Sequence, residues 1–391
     1  MNINKAVCIF CILLFSARAW SEQAKSNLNF GIHQDYVSTR ALGMGNAFSA
    51  VADDHSALFY NPAALARRTE GNIHMFLRAG ISKNYLDLID DIDKASNNNG
   101  TDEIQQITDV LNKNYGNNYY SRVPTLGFLW VRPNWGMAII PADLTTDLSI
   151  IRQGAPAINV TAYLDTTLAY GYAKNVNWFD LGKNGTFSAG ATLKVIHRIY
   201  ASDSVNALDL AQDSQVFKSS DAAEGMTIDI DYGMLYTPTI QKDSWLKIAK
   251  PSFSMVIRNL ADYGFPMNNH FIDENSKEPP KLQRRIDFGS KWDIPNFWVF
   301  DPHLAIDIRD ILHENWNIKK GLHIGAELYW TMFSWWKGTW TVGLNQGYLT
   351  GGFGARFAWF QLDAVTYGEE VGTADHPKEN RRYMVEMSLD F

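Results

Sequence analysis

Counting back by twos from Phe391 gives Leu389, Met387, Val385 and Tyr383. Asp390, Ser388 and Glu386 fall between them, with Met384 the exception. A strand sends successive side chains to opposite faces, so Arg381–Phe391 carries one apolar face and one largely polar face. Such a strand, ending on an aromatic, has the pattern of the last strand of a transmembrane β-barrel, where one face meets lipid and the other lines the lumen. On this reading Tyr383, Val385, Met387, Leu389 and Phe391 also present the signal that barrel-assembly machinery would take up.

The opposite end of the chain is consistent with export. Lys5, an apolar stretch from Ala6 to Phe15, and Ala17-Arg18-Ala19 have the layout of a cleaved leader over residues 1–19. Both cysteines, Cys8 and Cys11, lie inside it, so the exported chain is expected to hold no disulfide or cysteine metal site. Elsewhere no apolar run is long enough for a membrane helix. The 13 Trp, 17 Tyr and 21 Phe instead suit aromatic girdles at the two bilayer interfaces. The formal charge is −7, and removing Lys5 and Arg18 with the leader makes it −9. With no basic stripe, a nucleic-acid partner is not expected.

From residue 71 onward, period-two runs alternate with turn-rich gaps, which predicts an all-β antiparallel barrel over 71–391. Fourteen strands are expected: Gly71–Ile81, Val123–Arg132, Trp135–Ala142, Asn159–Lys174, Thr186–Ala201, Met226–Thr237, Pro251–Leu260, Arg284–Asp293, His303–Asp310, Gly321–Thr331, Thr339–Gly347, Gly351–Ala358, Phe360–Gly368 and Arg381–Phe391. Ile228, Ile230, Tyr232, Met234 and Tyr236 oppose Thr227, Asp229, Asp231 and Gly233, with Leu235 out of pattern. Lys or Arg on the lipid face near the midplane costs about 2–4 kcal/mol. Ionic residues are therefore assigned to the lumen: Lys194, Arg198, Arg258, Lys291 and Arg309 against Asp229, Asp231, Asp287, Asp307, Glu327, Asp363 and Glu386. Cross-strand ion pairs are expected among them.

Long gaps at 82–122, 202–225, 261–283 and 369–380 are assigned to the outer side. On this reading 143–158 and 238–250 are long for inner turns. The first gap, 82–122, holds two helical periodicities, Tyr85–Ala95 and Glu103–Tyr115, separated by Asn97-Asn98-Asn99-Gly100. They form either a hairpin that caps or enters one mouth of the barrel, or a plain surface excursion.

Residues 20–70 are too rich in small residues for a lipid-facing strand and too apolar for a free tail, which suits a plug or hatch. Gly43 and Gly45 permit close packing. Asp53-Asp54 is an acidic pair, and Asn61-Pro62 marks a turn or helix start. These six residues are the expected gating residues, with the hatch moving around Asn61-Pro62 to open the route. The stretch Arg40-Ala41-Leu42-Gly43-Met44-Gly45-Asn46-Ala47-Phe48, with Ala52-Asp53-Asp54 and Asn61-Pro62-Ala63-Ala64-Leu65-Ala66, resembles the FadL-type outer-membrane proteins and their PorV-like relatives. So do Gly343–Tyr348, Gly352-Phe353-Gly354 and Tyr367–Glu370. The resemblance implies a 14-stranded barrel with an N-terminal hatch, in the outer membrane of a Gram-negative-type bacterium. It also implies passage of lipophilic compounds, such as long-chain fatty acids, by a hatch-gated and laterally opening route. Its PorV-like branch implies instead a barrel that partners protein secretion, working through its long loops.

A carboxylate-bearing cargo calls for a cation near the hatch, and Arg40, Arg67 and Arg68 are the candidates. Gly43-Met44-Gly45 lacks the third glycine of a dinucleotide loop, and there is no Walker loop, HExxH or G-x-S-x-G. Neither an enzyme, a cofactor nor a metal site is expected. The expected partners are membrane lipid and a hydrophobic small molecule.

Overall fold

The computed structural model describes residues 30–96, 103–153, 155–177, 184–206, 222–240, 245–272 and 276–391. The expected leader, residues 1–19, and the start of the hatch, residues 20–29, lie outside the described residues. Fourteen antiparallel strands close on themselves, each hydrogen-bonded to its chain neighbours and β1 to β14. They are β1 Asn72–Ser82, β2 Asn118–Arg132, β3 Trp135–Gln153, β4 Ala155–Asn175, β5 Gly185–Asn206, β6 Ala223–Pro238 and β7 Ser252–Arg258. The second half comprises β8 Arg285–Asp293, β9 Phe300–Ile311, β10 Leu322–Phe333, β11 Trp336–Asn345, β12 Tyr348–Phe357, β13 Phe360–Glu370 and β14 Glu379–Asp390. Every strand expected from alternation is present. The terminal segment seals the barrel, with His74 opposite Asp390 and Arg78 opposite Glu386.

The outer surface is apolar. Met75 and Leu77 on β1, Leu168 and Tyr170 on β4, Ile228 and Ile230 on β6, Leu304, Ile306 and Ile308 on β9, and Tyr383, Val385, Met387 and Leu389 on β14 are all exposed. The alternating residues are buried inside: Asp229 and Asp231, Asp307 and Arg309, Glu386 and Ser388. Leu235, out of pattern in the sequence, points inward and joins the apolar core around the hatch. One end of the barrel carries tight turns such as Pro133–Asn134, Ser334–Trp335 and Ala358–Trp359; the other carries the long loops. Aromatics were expected at both rims. Among the described residues every tryptophan except Trp316 lies in the short-turn half or its connections, including the Trp130–Trp135 contact and the Phe333–Trp335–Trp336 stack.

The largest departures from the sequence reading lie in β2 to β5. The segment 143–158, read as a long inner turn, is almost wholly strand and sits at the long-loop end, because β3 runs to Gln153 and β4 starts at Ala155. At 21 and 22 residues, β4 and β5 are about twice the 9–11 residues that span a bilayer, so they rise beyond it. The helices Tyr85–Ser96 and Glu103–Lys113 neither cap nor enter the mouth. Leu88, Ala95, Ile107 and Leu111 pack against Tyr119, Leu148, Ile150, Ile158 and Val160. These strand residues alternate with the lumen-facing Tyr120, Asp147, Thr161 and Tyr163. The helical pair therefore covers the apolar outer face of the raised wall and keeps it from water.

An arginine at Ile306, mid-strand on the outer face of β9, is expected to destabilise the barrel by about 2–4 kcal/mol. Equilibrium unfolding of Ile306→Arg in lipid vesicles checks this.

Candidate functional site

Residues 30–70 run through the lumen from the long-loop end to the short-turn end. Phe30 N–H donates to Val371 O in the β13–β14 loop at 3.0 Å, and Asn134 N–H in the β2–β3 turn donates to Leu65 O at 2.9 Å. Local signals shape this path. Ser38 caps the helix Thr39–Gly43, and Asn61 Oδ1 accepts from Ala63 N–H to start the 3-10 helix Pro62–Arg67, with Pro62 at the first position, where its missing N–H costs nothing. Met44, Ala47, Phe48, Val51, Leu58, Tyr60, Ala63 and Leu65 form one apolar core with Phe76, Leu129, Val131, Ala138, Ile140, Leu235 and Ala305 of the wall.

Gly43 and Gly45 are close-approach residues. A Cβ on Gly43 would strike the Thr341 side chain, and Gly45, at φ +63°, lies against the main chain of Ile324 and Leu344. Gly325 and Gly343 of the wall meet Met44 and Gly45 in return. The glycines of the two motif-bearing regions, Gly43 and Gly45 in the hatch and Gly343 and Gly352 in the wall, thus meet in one close backbone contact.

Wall charges grip the hatch. Cross-strand pairs form at Lys194–Asp231, 2.9 Å, and Arg258–Asp287, 2.7 Å, with Arg309 3.6 Å from Asp287, while Arg198 takes Asp165 at 2.7 Å, a partner the sequence reading did not name. The same groups also bind hatch main chain, which the sequence reading did not anticipate. Arg258 donates to Phe59 O and, at 3.0 Å, to Tyr60 O, and Arg309 donates to Asn46 O at 2.9 Å. Asp307 accepts from the N–H groups of Phe48 and Ser49 at 2.9 and 2.8 Å. Glu386 accepts from Thr39 and lies 3.4 Å from Arg78, whose guanidinium donates to Val37 O. Asp229 receives Ala261 N–H, Asp363 receives Gln361, and Lys291, only half-buried, pairs with Asp293 on its own strand. Asp35, not singled out in the sequence, lies within 3.7 Å of Lys194, Arg198 and Arg285. Burial alone would raise its carboxyl; Lys194, Arg285 and Arg198 outweigh burial and hold it below the ordinary value.

The three candidate head-group arginines are already engaged. Arg40 reaches the fully buried Glu327 at 2.6 Å and Asp53 and Asp54 at 2.7 and 2.9 Å. Arg67 donates to Ser188, Thr237 and the carbonyls of Thr186 and Leu235; burial pulls it down to about 10. Arg68 donates to Asp53 O at 2.6 Å. Asn61 and Pro62 are likewise fixed: Asn61 donates to Ser49 O and Met234 O and is fully buried.

Between β2 and β3 the ladder is interrupted beside the hatch. β2 and β3 pair from Asn118↔Ser149 to Arg122↔Thr145 and again from Phe128↔Ile139 to Arg132↔Trp135; between these the two strands are unpaired. Pro124 and Pro141 sit in the gap and have no N–H to give. Val123-Pro124 also bulges against β1, and β3 shifts register against β4 at Ile140–Asp143, with Ala142 at φ +52°. Each irregularity reverses the alternation, so on β2 the inward row changes from Tyr120 and Arg122 to Thr125, Leu129 and Val131. Outside the gap Val123 and Leu126 are exposed. Inside, Arg122 lies 3.0 Å from Asp143, which also accepts from Thr125 at 3.0 Å. Beside it is a polar cavity of about 100 Å³ between hatch residues 31–37 and the wall, lined by His33, Arg122, Asp147, Tyr163, Glu369 and Arg382 among others. An apolar cavity of about 150 Å³ takes benzene; this smaller, ionic one suits water.

Removing Arg40 strands Glu327. Arg40→Met is expected to cost about 3–5 kcal/mol, the usual penalty for an unpaired buried charge. Adding Glu327→Gln is expected to recover most of it, as read by urea unfolding in detergent.

No protein-family model and no curated protein matches the chain. Among solved structures it is similar to the CymD monoaromatic hydrocarbon channel, with 10% identity and a TM-score of 0.48, over 90% of this chain and 96% of that one. It is also similar to the toluene transporter TbuX of Ralstonia pickettii, with 9% identity and a TM-score of 0.46 over 90% and 97%. A FadL homologue of Pseudomonas aeruginosa matches at 9% identity and a TM-score of 0.32 over 92% and 98%. At these identities the likeness is one of fold.

Proposed function

We propose that this chain is an outer-membrane channel for hydrophobic small molecules, in its closed state, with the long-loop end facing outward and the gap between β2 and β3 as a lateral exit into the bilayer. The observation that carries the reading is the interrupted β2–β3 ladder beside the lumen cavity. Unpaired backbone facing hydrocarbon costs several kcal/mol per group, so a barrel without need of an opening has every reason to complete its ladder. Two prolines remove donors from the gap, and apolar Val123, Pro124, Leu126 and Pro141 flank it on the lipid side.

In this mechanism the upper hatch, residues 30–37, withdraws from the wall and breaks the contacts of Asp35 with Lys194, Arg198 and Arg285. The small polar cavity thereby widens. Apolar cargo then passes Thr125 and the Arg122–Asp143 pair and leaves sideways, driven by about 25 cal/mol per Å² of surface taken from water. Asn61-Pro62, expected as the pivot, is the fixed end instead. Head-group recognition by Arg40, Arg67 or Arg68 would require each to leave its present partners, so an uncharged cargo fits better than a fatty acid. Small aromatic hydrocarbons, for which CymD and TbuX are named, are the first probes.

Two measurements test the reading. Phe30 N–H, at the upper end of the hatch, donates to Val371 O at 3.0 Å, which brings the two residues within the reach of a disulfide. Phe30→Cys/Val371→Cys is expected to abolish uptake of labelled toluene by cells when oxidised and to restore it on reduction. Pro124→Val/Pro141→Val, which returns two donors to the ladder, is expected to lower uptake at least tenfold with the barrel folded. Uptake indifferent to both changes sinks the proposal.

A second reading has one observation in its favour: Leu86, Ile89, Ile104 and Tyr115 of the helical pair are exposed at the long-loop end. They would suit a protein partner in secretion or surface assembly. Loss of surface assembly, with toluene uptake intact, on changing these four residues to Ser would favour it.

A further inference from the structure

Where β1 closes on β14, near the short-turn end, three residues far apart in sequence meet. His55 comes from the hatch, His74 from β1 and Asp390 from β14, and one potential ligand atom from each lies within 4.8 Å of the others. The two imidazoles are stacked, 3.5 Å between centroids and 10° apart. His74 Nδ1 is 2.9 Å from Asp390 Oδ1, and Glu386 Oε1 is 3.4 Å from His74 Nε2.

The surroundings are short of positive charge. Asp363, Glu386 and Asp390 face the lumen from β13 and β14, Asp363 directly opposite Glu386. Against them stand Arg78, 3.4 Å from Glu386, and Arg356, whose guanidinium goes to the carbonyls of Ala358 and Asp390. Asp54, beside His55 in the chain, is already paired with Arg40. One buried polar atom at the cluster has no hydrogen-bond partner among the described residues: Asn72 Oδ1, whose amide nitrogen donates to Asp390 at 3.2 Å. His74 Nε2, on a ring 1% exposed, makes no hydrogen bond and has only Glu386 at 3.4 Å before it. Buried polar atoms are nearly always satisfied, so Asn72 Oδ1 marks a place for a further group.

We propose that His55, His74 and Asp390 bind one divalent transition-metal ion of the zinc class, tying the hatch to the closing seam of the barrel. Two imidazoles and a carboxylate are the donor set that such borderline ions take, and three protein ligands leave a fourth position for water. Asn72 Oδ1 is placed to accept from that water. Ligands at about 2.0–2.2 Å from a tetrahedral ion lie about 3.3–3.6 Å apart. From a spread of up to 4.8 Å the site therefore closes with a shift of about an ångström, made by swinging the His55 ring out of its stack on His74; no described side chain holds that ring by a hydrogen bond. The ion takes the place of the proton between His74 and Asp390 and offsets the surplus of carboxylates. Half-exposed His55 is the entry point.

The test uses the full-length, tag-free protein folded in detergent, with Zn2+ and Co2+ as probes. One equivalent of either ion per chain is expected, with the visible absorption of a low-coordinate Co2+ centre and a higher Tm in Zn2+ than in chelator. His55→Gln, which leaves the barrel wall untouched, is expected to lose the stoichiometric ion, the Co2+ bands and the Tm difference, while the loop variant His270→Gln keeps all three. Failure of the folded wild-type chain to retain either ion, or retention by His55→Gln equal to wild type, overturns the proposal. Neither result depends on what the barrel transports.

Discussion

The bilayer offers no hydrogen bonds to a peptide group, and the structure follows from that constraint. A strand crossing hydrocarbon must give all its N–H and C=O groups to neighbours, and only a closed ladder does so for every strand. Closure sorts the side chains: apolar residues cover the outside, and the ionic residues between them are confined to the lumen. The interruption between Arg122↔Thr145 and Phe128↔Ile139 departs from the same rule, which is why the proposed exit is placed there.

Confinement creates a second problem. Charges in a narrow lumen are cut off from water, and an unpaired one is costly. Cross-strand pairs answer part of this, and the hatch answers the rest with its own backbone. Asp307 takes two hatch N–H groups, while Arg258, Arg309 and Arg78 take hatch carbonyls. The plug is thus a hydrogen-bonding partner of the wall as well as a steric stopper. Moving any part of it exposes charges whose partners move too, so on the proposed mechanism the plug opens by exchanging partners, most simply at the upper end around Asp35, beside the polar cavity.

Much of this was legible in the chain. The alternation in β6 and β14 fixed which of their side chains meet lipid, and the glycines at 43 and 45 announced close packing. The strand reading stopped at Val123 on β2 and at Ala142 on β3, the two places where irregular backbone reverses the inward row. Period-two reasoning assumes a constant phase, and Pro124 and Pro141 break it. The helical pair at 85–113 was recognised by its periodicity, but its apolar face did not say which surface it would cover.

By itself the sequence determined the architecture: side-chain periodicity is local, and a lipid solvent allows few ways to satisfy it. It also determined that residues 39–66 differ in kind from a strand. Only the tertiary structure decided which charges pair, that Arg40 is spent on Glu327, where the wall is left open, and that His55, His74 and Asp390 meet. These depend on register and on the path of the hatch through the lumen, which bring together residues separated by hundreds of positions, and no local pattern encodes such distances.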